Sequence, residues 1–134
     1  QKNLQAHKVH NATTYACGLG SRQELVGLTK TPGKSFSTHV DTSATDNLVP
    51  VRSLDSFGIE DVDLIKIDAE GYEPLVIQGA LNTIQKTLPV ILYERKGHEE
   101  RYGFGRDSVL EMLQPLGYEE RYLLDHKNRL ISVK

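Results

Sequence analysis

The segment Asp63-Leu64-Ile65-Lys66-Ile67-Asp68-Ala69-Glu70-Gly71 constrains this chain more than any other stretch. Val62 to Ile67 is a nearly continuous apolar run broken only by Asp63 and Lys66, the pattern of a parallel strand covered on both faces. Gly71 turns the chain, and Pro74 suits the first turn of a helix, where a missing N–H costs nothing. Leu75, Ile77, Ala80, Leu81 and Ile84 then form one apolar stripe through Gln85, which predicts a single helix. Strand, acidic turn and helix in direct succession carry Asp68 and Glu70 to the carboxyl end of a strand, the edge at which open α/β sheets bind ligands.

A second unit repeats the plan. Pro89 to Tyr93 is a short apolar strand with Glu94 at its end, and a polar loop through Gly103 and Gly105 leads to another helix. Val109, Met112, Leu113 and Leu116 line one face of that helix, Asp107 is placed to cap its start, and Gly117 ends it. Tyr118 to Leu124 and Arg129 to Val133 read as strands joined by Asp125-His126-Lys127-Asn128, a connection suited to an antiparallel hairpin. The expected fold class is therefore α/β, with a mainly parallel sheet and a C-terminal antiparallel hairpin.

Upstream the signals are looser. Gln1 to Ala6 reads like the interior of a helix, and Thr13 to Cys17 has strand character that ends at a turn, Gly18-Leu19-Gly20. Ser21 to Leu28 does not read as a helix whose N-terminus would hold a phosphate or carboxylate, so this Gly-x-Gly is taken as an ordinary turn rather than a cofactor loop. Glu24 to Thr29 and Ser35 to Val40 suggest a hairpin across Thr31-Pro32-Gly33-Lys34. The polar stretch Asp41 to Asn47 is expected to be mobile or ordered by a ligand, and Leu48 to Leu54 to be extended around Pro50.

Bulk properties narrow the function classes. A chain of 134 residues suits one domain, here read as spanning 1–134. The net charge is only -2 and basic residues are interspersed with acidic ones, which argues against nucleic acid as a partner. The longest apolar runs fall far short of the roughly 20 residues that span a bilayer, so no membrane role is expected. Cys17 is the single cysteine, which excludes an internal disulfide and makes the cytoplasm the default compartment; its simplest role is as a small core residue.

Asp68, Glu70 and Glu94 are thus expected to share one crevice, with Lys66 on the same strand face as Asp68. Convergent carboxylates can bind a divalent metal, for which Asp68 and Glu70 are the candidates, act as a base on a hydroxyl, or accept hydrogen bonds from a polar substrate. Alternatively they cap the following helix, with Lys66 pairing locally. His39 and His98 can join a metal or proton-transfer site, although a lone histidine in a polar loop is more often simply solvated. Arg95, Lys96, Arg101 and Arg106 give their loop the means to hold an anionic acceptor, against the commoner case of a solvated loop.

Val51-Arg52-Ser53-Leu54-Asp55-Ser56-Phe57, then Asp63 through Gly71-Tyr72-Glu73, then Val76-Ile77-Gln78-Gly79-Ala80, and finally Ile91-Leu92-Tyr93-Glu94 resemble the FkbM-like methyltransferase family in order and spacing. The resemblance runs from about Thr13 and is specific from Val51 to Glu94. It implies a Rossmann-like, S-adenosylmethionine-dependent methyltransferase that commonly acts on a hydroxyl of a sugar or small natural product. Asp68 and Glu94 become the candidate catalytic residues, and Glu70, Lys66 and His98 the candidate substrate contacts. The family's glycine-rich cofactor strands do not precede Gln1, so the expectation is a partial domain, inactive alone. Two other classes stay open. One is a non-catalytic α/β module that self-associates or binds a partner through an exposed sheet edge. The other is a metal-dependent hydrolase using Asp68, Glu70, Glu94 and His98.

Overall fold

Ile65 and Ile67 point to the same side of a four-residue strand, and the chain's core is assembled against them. In the computed structural model, which describes residues 4, 6–30, 38–127 and 129–133, that strand is β5 (Leu64–Ile67), and it pairs in parallel with β6 (Val90–Tyr93). Three helices cover one face of the pair: α1 (Glu73–Gln78), α2 (Leu81–Thr87) and α3 (Ser108–Leu113). Tyr72, Val76, Ile77, Ala80, Ile84, Val109 and Leu113 close the core over Ile65 and Ile67. The other face is open, with Leu64 57% and Val90 65% exposed. The strand therefore buries alternate residues only, where the apolar run predicted cover on both faces.

The upstream half forms a separate sheet from β1 (Gly18–Leu19), β2 (Glu24–Lys30), β3 (Thr38–Asp41) and β4 (Leu48–Arg52), in the order β1-β4-β2-β3. β2 and β3 make the expected antiparallel pair, while the turn assigned to Thr31-Pro32-Gly33-Lys34 lies outside the described residues. Of the opening helical segment only Leu4 and Ala6 are described as helical. The first strand is Gly18–Leu19 itself rather than Thr13 to Cys17, because these residues pair in parallel with Val51 and Arg52. Asp41 to Asn47 has structure of its own: Asp41 Oδ1 accepts from the Ser43 backbone N–H at 2.9 Å and from Ser43 Oγ at 2.6 Å, and Oδ2 accepts from Thr29 Oγ1 at 2.9 Å. The Ser43 bonds, with that from Thr29, hold the Asp41 carboxyl below its usual range.

β7 (Arg121–Leu124) and β8 (Leu130–Val133) form the expected C-terminal antiparallel hairpin, closed by Asp125, which accepts from the Lys127 and Arg129 backbone N–H groups at 2.8 Å each. Parallel pairing is confined to β1 with β4 and β5 with β6; β2 with β3, β2 with β4, and β7 with β8 are antiparallel. The α/β class holds, and the expected mainly parallel sheet is reduced to these two parallel pairs among the described strands. The Asp107 side chain does not cap α3; its carboxylate is taken by the Arg95 guanidinium. Gly117, at φ 95, ends the following 3-10 turn as expected.

The helix predicted from Pro74 to Gln85 is broken in two at Gly79-Ala80. A Cβ on Gly79 would lie 1.9 Å from the Gly20 carbonyl oxygen, so only glycine lets the end of α1 touch the end of β1. The Gly79 carbonyl leaves the helical pattern to accept from the Asp55 N–H at 2.9 Å. Asp55 then supplies the start of α2 from a distant part of the chain. Its Oδ1 accepts from the Thr83 N–H and Oγ1, both at 2.8 Å, and its Oδ2 accepts from the Asn82 N–H at 3.2 Å. This break joins the helical layer to the β1-β4 sheet. In urea unfolding, Asp55→Ala is expected to lose roughly 1–2 kcal/mol through the missing cap, and Gly79→Ala about 2 kcal/mol or more by forcing backbone apart.

Candidate functional site

Ile67 faces Tyr93 across the parallel pair, so the residues that follow them leave the sheet side by side. The Glu94 N–H still donates to the Ile67 carbonyl at 3.2 Å, which carries the pairing one step beyond the strands and fixes Glu94 beside Asp68. The chain after Asp68 reverses through two left-handed residues, Glu70 at φ 51 and Gly71 at φ 102. For a glutamate this conformation costs about 1 kcal/mol. At position 71 no other residue fits, since a Cβ there would lie 2.6 Å from the His98 backbone carbon and oxygen. The loop after β6 thus rests directly on the acidic turn.

The same loop carries Lys96. Its Nζ pairs with Glu94 Oε1 at 2.8 Å. The Glu94 hydrogen bond raises the Lys96 pKa against the opposing cost of desolvation, and the charges of Glu94, Glu70 and Asp68 add to the rise. Glu94 is in contact with Lys96 and Asp68 with Lys66, while Glu70 and Asp68 act on Lys96 through their charge; Lys96 belongs to the basic loop for which an anionic acceptor or simple solvation was expected. The signal was present as a lysine two residues beyond a strand-end glutamate. Nothing local indicated that it would also feel the charges of Asp68 and Glu70.

Lys66 reaches Asp68 Oδ2 at 3.2 Å, as its shared strand face predicts. Both groups are largely exposed, so the pair contributes less than about 1 kcal/mol to stability, and its effect is to orient Asp68. Glu94 is more enclosed: its Oε2 is buried with no hydrogen-bond donor. His98 is half-buried and contributes its backbone, which packs on Gly71 and accepts from the Arg101 N–H at 3.2 Å through its carbonyl. His39 lies on β3, opposite Thr29, in the other sheet. Gly18 and Gly20 belong to the β1 edge packed against Val51 and Tyr72, which leaves them no role as a loop opening a helix.

Aromatic residues support the loop from below. The Tyr72 and Tyr102 rings meet edge to face at 4.9 Å, and the Tyr102 hydroxyl donates to the Val40 carbonyl at 2.8 Å. Burial, with the neighbouring Glu24 carboxylate, pushes the Tyr72 pKa up to about 12. Burial likewise raises Tyr93 and Tyr102. These phenols stay protonated near neutral pH and act as packing and hydrogen-bond donors. Arg95 donates to the Arg106 carbonyl at 3.3 Å and pairs with Asp107, which binds the other end of the loop to α3.

The metal alternative does not find its ligands. Among the described residues there is no group of three or more His, Cys, Asp or Glu side chains placed to hold a metal ion. Asp68 and Glu70 would offer two carboxylates, and Asp68 is already paired with Lys66 at 3.2 Å. The arrangement instead suits an uncharged polar group that can donate hydrogen bonds to carboxylates and release a proton to one of them. No described helix is long and apolar enough to cross a membrane.

Comparison with known proteins gives one match. The family described as the Methyltransferase FkbM domain matches residues 2–123, a range that takes in the β1-β4 sheet, the acidic turn and the loop carrying Lys96. No curated protein and no solved structure matches the chain significantly. With nearly the whole sequence covered, the chain belongs to the FkbM methyltransferase domain family.

Proposed function

We propose that this chain carries the acceptor side of an S-adenosylmethionine-dependent methyltransferase that methylates a hydroxyl of a sugar or small natural product. The observation that supports this most directly is the placement of Asp68 and Glu94 side by side at the carboxyl ends of β5 and β6, with Glu70 in the turn that follows Asp68. Methyl transfer needs little covalent help from a protein. The acceptor oxygen must lie in line with the methyl group and must lose its proton as the new bond forms.

Asp68 is the base in this reading. Lys66 engages its Oδ2, which leaves Oδ1 to face the acceptor hydroxyl. Glu94, with Oε1 held by Lys96 and Oε2 enclosed without a donor, is the second candidate. Glu70 and the Lys66 and Lys96 ammonium groups orient neighbouring hydroxyls, and His98 is a further candidate contact through the loop that rests on Gly71. The cofactor supplies the electrophilic methyl group on a sulfonium, and a cluster of carboxylates is electrostatically compatible with that positive charge.

A second reading is favoured by apolar exposure. Leu64, Val90 and Leu92 line the open face of β5 and β6, and Leu123, Leu124, Leu130 and Ile131 are all about half exposed or more on the terminal hairpin. Surfaces of this kind mark association, either with a second copy or with a partner chain. Assembly and catalysis are compatible, so this reading adds to the first.

Calorimetry should detect S-adenosylmethionine and S-adenosylhomocysteine binding to this chain or to a version extended upstream of Gln1; binding by neither overturns the methyltransferase reading. In an enzyme that transfers methyl groups, Asp68→Asn is expected to lower kcat about 100-fold through loss of the base, with a smaller loss for Glu94→Gln. An unchanged rate in both variants would remove the carboxylates from the chemistry. Light scattering at tens of micromolar should give a mass above that of one chain, and a monodisperse monomer counts against the association reading.

A further inference from the structure

Glu73 is 1% exposed, and among the described residues no salt bridge includes it. Its Oε1 accepts the Ala69 backbone N–H at 2.8 Å, while Oε2 is buried without a donor. Enclosing a carboxylate this way is costly unless the bond it makes matters, and an apolar side chain of similar size would pack in the same space without that cost. The position of Ala69 explains the choice: its amide lies between Asp68 and Glu70, at the start of the left-handed turn.

That turn is under tension. Glu70 has a backbone conformation that glutamate disfavours, at φ 51, and the turn is closed by a hydrogen bond from the Tyr72 N–H to the Ala69 carbonyl at 3.1 Å. Gly71 is pressed against the His98 backbone, so it offers no slack. The bond from Ala69 to Glu73 clamps the same residue from its other side. Glu73 itself sits in the first turn of α1, beside Pro74, and is anchored by the core around Tyr72, Val76 and Ile77.

We infer that Glu73 is a positioning residue: its buried carboxylate holds the Ala69 amide and thereby keeps the strained turn in the conformation that carries Asp68, paired with Lys66, and Glu70 beyond the end of β5. This deepens the methyltransferase reading and rests on it for the catalytic consequence, whereas the clamp itself is a property of the fold. Without the acceptor, the turn relaxes toward ordinary backbone conformations, and the two carboxylates leave the geometry that orients a hydroxyl.

The test compares Glu73→Met, which keeps bulk but removes the acceptor, with Glu73→Gln, which keeps an amide oxygen for the Ala69 N–H. Amide hydrogen exchange by NMR reads the clamp, and kcat and KM for methyl transfer read its consequence. In the Met variant the Ala69 amide is expected to exchange at least tenfold faster and kcat to fall at least tenfold; in the Gln variant both should stay within about threefold of the parent. A folded Met variant with parental Ala69 exchange, or with fast exchange and parental kcat, overturns the inference. If the Met variant does not fold, the Gln variant decides, since loss of Ala69 protection there overturns it equally. A parent that transfers no methyl group removes the methyltransferase reading, and the exchange rates still decide the clamp.

Discussion

Everything at the acidic site depends on the register of one short parallel pair. Ile67 opposite Tyr93 sends Asp68 and Glu94 out of the sheet together, and the hydrogen bond from Glu94 to the Ile67 carbonyl carries that alignment past the last paired residues. A slip of one residue would turn Ile65 and Ile67 away from the helices and separate the carboxylates, so packing and site geometry enforce the same register. The core formed by Ile65, Ile67, Val76, Ile77 and Ile84 is therefore also what positions the crevice.

Two loops that converge above this pair hold each other in place through different physics. The Asp68–Gly71 turn is conformationally strained and is held by the buried Glu73 carboxylate from one side and by the His98 backbone from the other. The loop after β6 is fixed by Arg95 to Asp107, by Lys96 to Glu94, and by Tyr102 to Val40 on β3 of the four-stranded sheet. Lys96 pairs with Glu94 and Lys66 with Asp68, so the site combines negative groups able to take a proton with cations that orient them. Against this ordered crevice stands the open apolar face of β5 and β6, which gives the molecule a second surface of a different character.

Much of this was legible in the residues. The spacing of Ile65, Ile67, Val109 and Leu113 indicated the strands and the last helix, the terminal hairpin followed from its polar connection, and the pairing of Lys66 with Asp68 followed from alternation along a strand. Where the reading failed, a distant contact had displaced a local preference. The apolar stripe through Leu81 and Ile84 favours an unbroken helix, but Gly79 meets Gly20 and Asp55 caps the second half, so two helices form. Asp107 had the right identity for a cap and was instead drawn to Arg95. Glu73 had the local signal of a first-turn acid, without any sign that it would be buried.

The sequence by itself determined the local chemistry: which segments prefer strand or helix, where the chain must turn, and which carboxylates sit at strand ends, together with the motifs that resemble the methyltransferase family. These depend on side-chain periodicity and backbone preference over a few residues. Only the tertiary structure decided that Lys96 feels the charges of Asp68 and Glu70 as well as that of Glu94, that Gly71 bears the His98 backbone, and that parallel pairing is limited to two short pairs among the described strands. Such contacts join residues far apart in the chain, and their geometry is set by how the layers pack.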